Sequence, residues 1–68
     1  GKAVNVELTK YLLAQQKFRR LKPDERNAAF VALPSILAQM GREDEEPSMG
    51  NFEHLNMMLE YAKIMRVR

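Results

Sequence analysis

NFEHLNMMLEYAKIMRVR, residues 51–68, is the stretch whose reading decides the fold. At 3.6 residues per turn Phe52, Leu55, Met58, Leu59, Ala62 and Met65 share one arc, and Met57, Tyr61 and Ile64 form a second arc beside it. Only Glu53, Asn56, Glu60 and Lys63 make a polar stripe. A helix apolar over so much of its circumference is either central to the fold or pressed against a partner. The first arc is expected in the core, including Met58 and Met65. The second is expected to stay outside and to meet another protein or a second copy of the chain. Asn51 is placed to cap the helix, with Glu53 in its first turn beside the positive end of the helix dipole.

The segment before this helix, residues 42–50, holds four consecutive acids at 43–46 together with Pro47, Ser48 and Gly50, and has no apolar period. It reads as a mobile acidic loop. Carboxylates in a row do not make a calcium site, which spaces its ligands at alternate positions and needs a turn glycine and a distant bidentate Glu. An acidic loop can imitate phosphates toward a basic partner, but a solvated linker is the plainer reading.

Further back, Pro23 followed by Asp24 and Glu25 marks a helix start, since proline suits the first helical position and acids suit the first turn. From there Ala29, Phe30, Leu33, Ile36, Leu37 and Met40 keep one arc on both sides of Pro34. The spacing predicts one helix kinked at Pro34, or two short collinear ones, closed at Gly41. Ahead of Pro23, Leu8, Tyr11, Leu12, Gln15, Phe18 and Leu21 repeat at helical spacing, with Asn5 as a cap and residues 1–5 as a flexible lead-in. The other side of this first helix carries Lys10, Lys17 and Arg20, with Arg19 and Lys22 near its C-terminal end, where the helix dipole favours cations.

These readings combine into an all-α fold, a small bundle of three helices with the middle one kinked at Pro34. The 68 residues make one domain, in which folding hides only about 60% of the chain's surface, and no Cys supplies a staple. The lack of Cys suits a reducing cytoplasm, and no apolar run reaches the length of a membrane span. A leading Gly in place of Met reads as a processed end, with room for further chain at either side.

The net charge of +2 conceals a sorting, with six basic residues and the single acid Glu7 in residues 1–22, against the acids of 43–46. His54 is the only His and has no second His or Cys with which to share a metal, so it reads as a surface imidazole. Ser35 and Ser48 lack a nucleophile context, and no Gly-rich loop is present to cradle a phosphate. No enzyme, metal or cofactor is therefore expected.

Three functions stay in view. The first is a non-catalytic regulator or adaptor that docks its Met-rich last helix, through Met57, Tyr61 and Ile64, on a larger protein assembly; three of the five Met lie within 57–65, and Met is adaptable at binding surfaces. Nucleic-acid machinery such as a transcription complex is a target that would suit the basic first helix. The second is a small DNA- or RNA-binding protein using Lys10, Lys17, Arg19, Arg20 and Lys22, which fits the pI of 9.2 but not the acidic loop. The third is a homo-oligomerisation domain.

Overall fold

The computed structural model describes residues 2–67, with the side chains of 5–66. It contains three α-helices, α1 (Lys2–Arg20), α2 (Pro23–Gln39) and α3 (Phe52–Val67). Helix α1 begins at Lys2, so residues 2–5 extend the helix instead of leading into it, while Gly1 lies outside the described residues. Asn5 accordingly does not cap α1; it is inside the helix, and its carbonyl accepts a hydrogen bond from the Thr9 hydroxyl at 2.8 Å. No Gly or Pro stands between Lys2 and Leu8, and once a helix exists each added residue gains a hydrogen bond at little further cost.

The Leu21 N–H donates to the Phe18 carbonyl at 3.2 Å and tightens the end of α1 before Pro23 opens α2. Glu25 then reaches back and accepts from the Lys22 N–H at 3.1 Å, satisfying a donor at the helix start. Helix α2 runs through Pro34 as one helix, although proline removes one rung of the ladder. It closes with Gly41 at φ +72°, where the Gly41 N–H donates to Ala38 at 3.0 Å and the Arg42 N–H to Leu37 at 2.8 Å. This paired closure requires a left-handed residue, which explains the glycine. Asn51 caps α3: its side-chain oxygen accepts from the His54 N–H at 3.2 Å.

Helix α3 packs against both other helices, while α1 and α2 touch each other little. It runs beside α1 in the same direction, with Phe52 near Lys10 and Arg66 near Arg20, and antiparallel to α2, where Arg66 meets Glu25. Ala14 and Phe18 from α1, Ala29, Leu33 and Leu37 from α2, and Leu55, Met58 and Ala62 from α3 form the buried apolar set. Extents of 38 × 28 × 17 Å describe a flat molecule with α3 as its shared member.

That flatness corrects several expectations about the core. Leu8 is exposed because α1 overhangs the start of α3, where Lys10, Leu13 and Ala14 are the residues level with Phe52, and Leu12 is exposed because it stands on the outer side of α1 beside Gln16 and Arg19. Phe30 and Met40 are also exposed, since only the part of the α2 arc that faces α3 finds a neighbour. Met65, expected inside, is exposed near the end of α3. The imidazole of His54, expected at the surface, is in the core at 2% exposure.

Candidate interaction site

Met57, Tyr61 and Ile64 follow one another at spacings of four and three, so their side chains line one flank of α3. Helix α2 lies along that flank and adds Ile36, giving an open apolar groove of about 440 Å³ with Asn56 and Glu60 on its rim. The three residues singled out in the sequence are thus brought together. They are not equivalent. Met57 and Tyr61 are half-buried and rest on the core, whereas Ile64 is 56% exposed. Ile36 escapes a sequence reading of the groove because it falls on the α2 apolar arc, and periodicity does not separate the middle of an arc from its edge.

The opposite flank of α3 meets α1 in a second groove, lined by Lys17, Arg20 and Leu21 from α1 and by Leu59, Lys63 and Arg66 from α3. Lys10 continues it toward Phe52. Lys10, Lys17 and Arg20 are therefore united with the basic end of α3. Arg19 lies apart, beside Leu12 and Gln16 on the outer side of α1, and Lys22 sits in the turn before α2. Asn56 and Glu60 line both grooves, so one polar ridge divides an apolar trough from a basic one. The Arg66 guanidinium donates to Glu25 at 3.1 and 3.2 Å and, together with the Lys22 N–H, lowers the Glu25 carboxyl below its ordinary pKa.

The acidic loop has internal order that its composition does not reveal. Arg42 donates to Glu45 through both Nε and Nη2, and reaches Glu53 of α3 at 3.1 and 3.3 Å. On the other side of Glu45 stands His54, whose Nε2 is 3.2 Å from the carboxylate. The Ser48 N–H points at His54 Nδ1 at 3.2 Å, so Nδ1 accepts and Nε2 carries the proton donated to Glu45. The Tyr11 hydroxyl fastens the far end of the loop by donating to the Met49 carbonyl at 3.2 Å. Glu45 is thus a structural ligand of the loop, while Glu43, Asp44 and Glu46 are exposed. The signals available in the sequence were Arg42 three residues before Glu45 and His54 four residues before Met58, at the edge of the inner arc.

Arg42 first, and His54 second, hold the Glu45 carboxyl down from 4.5 to about 2. A depressed carboxyl contributes stability that is complete above its ordinary value and is lost as pH falls through the folded value. The wild-type thermal midpoint should therefore drop through this group as pH is lowered from about 4.5 to about 2, and Glu45→Gln should flatten that part of the curve. Calorimetry of both proteins over this range checks it. Identical slopes would contradict the clamp.

Among the described residues no cluster of His, Cys, Asp or Glu could hold a metal ion, and no helix is long and apolar enough to cross a membrane. No family model matches the chain, and no curated protein or solved structure matches it.

Proposed function

We propose that the protein is a non-catalytic interaction module, a regulator or adaptor that receives another protein in the groove between α2 and α3. The observation that carries this reading is that Ile36 from α2 and Met57, Tyr61 and Ile64 from α3 line one open apolar groove. Flexible and branched aliphatic side chains beside a Tyr suit an apolar helix face, with Tyr as the anchor. Asn56 and Glu60 on the rim provide polar contacts for orientation. A location in the cytoplasm and a target within nucleic-acid machinery belong to this proposal.

A second reading has its own observation: Lys10, Lys17 and Arg20 share a groove with Lys63, as a phosphate backbone would require. Glu60 on the wall of that groove works against it.

Selection from a library of helical peptides, with Ile64→Ser as the counter-target, separates the two. Enriched peptides should carry an apolar stripe and should lose at least tenfold in affinity toward Ile64→Ser, since burial of one such side chain contributes about 1.5 kcal/mol or more. Peptides indifferent to Ile64 would overturn the groove. Duplex DNA binding that falls steeply with salt and vanishes in Lys17→Glu/Lys63→Glu would favour the second reading.

A further inference from the structure

We infer that the α2/α3 groove receives a basic amphipathic helix of another protein, its apolar stripe on Met57, Tyr61 and Ile64 and its flanks carrying Lys or Arg. This rests on the reading of the groove as a docking site and adds the chemistry of the occupant. The seam between α2 and α3 is longer than the groove itself. Past Tyr61 it continues as a second hollow of about 200 Å³ between Ala28 of α2 and Ala62 and Met65 of α3, with Asp24, Glu25 and Arg66 at its end. Tyr61 lines both parts and so stands in the middle of one apolar track. From Met57 to Met65 the track follows α3 for about 12 Å at 1.5 Å per residue, roughly two turns of a docked helix.

The charges along this track decide what can lie on it. Glu60, on the rim, is exposed and makes no ion pair among the described residues. Lys63 lines the α1/α3 groove and not this one. One turn before Met57, Glu53 stands on the same flank of α3, and its partner Arg42 is shared with Glu45, so two carboxylates face one guanidinium and a negative charge is left over. At the far end Arg66 is spent on Glu25, Lys22 adds its charge to that pair, and the exposed Asp24 offsets it. The uncompensated charge is therefore negative at the middle of the track and at its Glu53 end. A docked helix with acids on its flanks would meet like charge at both places. Lys or Arg three or four residues from the apolar stripe reaches Glu60 and Glu53, and its stem covers the apolar rim. The chain as a whole carries +2, so this preference is local to one flank. The basic groove lies across α3, a helix about 10 Å wide, and salt of about 0.1 M screens charge over a similar distance.

Fluorescence anisotropy tests the inference with three synthetic helical peptides of about 18 residues, in about 0.1 M salt. All share one Leu stripe at i, i+3 and i+7, and their flanks carry Lys, Gln or Glu. The Lys peptide should bind roughly tenfold or more tightly than the Glu peptide, with the Gln peptide between them, and the spread should narrow as salt rises. Glu60→Lys should reduce the spread by about threefold or more with helical circular dichroism unchanged, and Ile64→Ser should weaken the Lys peptide by about tenfold or more. Equal affinities for the three peptides, all lost in Ile64→Ser, overturn the basic occupant and leave the docking reading standing. Tighter binding of the Glu peptide through Ile64 does the same. A Lys peptide indifferent to both Ile64→Ser and Glu60→Lys is held elsewhere on the chain and overturns the inference. If no peptide binds up to about 1 mM, the inference and the docking reading fall together. Sedimentation equilibrium of the free protein covers the remaining occupant: a dimer that Ile64→Ser abolishes puts a second copy in the groove and overturns the external helix.

Discussion

Leu55→Ala is expected to cost about 2 to 5 kcal/mol and to leave most of the chain unfolded near body temperature. Leu55 is fully buried in the apolar set of α3, the helix on which both others depend for packing. Removing its branched end opens a cavity where the three helices share a core, and α1 and α2 touch too little to compensate. No disulfide holds the unfolded chain together, so the loss is borne by packing alone. Urea unfolding followed by circular dichroism reads the difference directly. A loss under about 1 kcal/mol would mean that the site collapses around the smaller side chain, or that α3 is not the shared core helix.

His54→Ala should lose on the order of 3 kcal/mol, part of it from the cavity and part from two hydrogen-bonding groups left without the imidazole. The Ser48 N–H and the Glu45 carboxylate both turn toward His54, and the ring is 2% exposed. Arg42 would still hold Glu45 in the variant, so the loop should loosen mostly between Glu45 and Asn51. Amide hydrogen exchange separates this from a general loss of stability. The Ser48 amide should speed up in the variant by a larger factor than the amides of the core residues Leu33, Leu37, Leu55 and Met58. Equal factors at all five positions would mean that His54 acts through the core alone and does not hold the loop.

Much of the fold is legible in the sequence because its signals are local. Pro23 opens α2, Gly41 closes it and Asn51 caps α3, each through the chemistry of one or two residues acting on nearby backbone. The central place of α3 is legible too, since Leu55, Met58 and Ala62 belong to an arc too broad for a surface helix. Periodicity stops short of telling how far a neighbour reaches. Leu8 lies where the start of α1 extends past α3, Leu12 stands on the outer side of α1, Phe30 and Met40 belong to the part of the α2 arc that does not face α3, and Met65 is near the end of α3, so all five are exposed. His54 defeats a sequence reading because a ring with two nitrogens can be buried when the loop supplies a partner to each, and those partners depend on tertiary geometry. At the groove, the spacing of Met57, Tyr61 and Ile64 is visible in the sequence, while Ile36 and the shared ridge of Asn56 and Glu60 require the packing of α2 and α1 on α3.

The most direct test of the groove as a surface for partners is the thermal midpoint of Ile64→Ser at low protein concentration, where self-association contributes nothing. Ile and Ser differ little in helix propensity, and Ile64 is the most open of the three groove residues that the sequence singles out. The midpoint should stay within about 4 °C of wild type, the shift that a surface change of about 0.5 kcal/mol produces in a domain of this size. A fall of about 10 °C or more would make Ile64 a core residue and contradict its role at an interface.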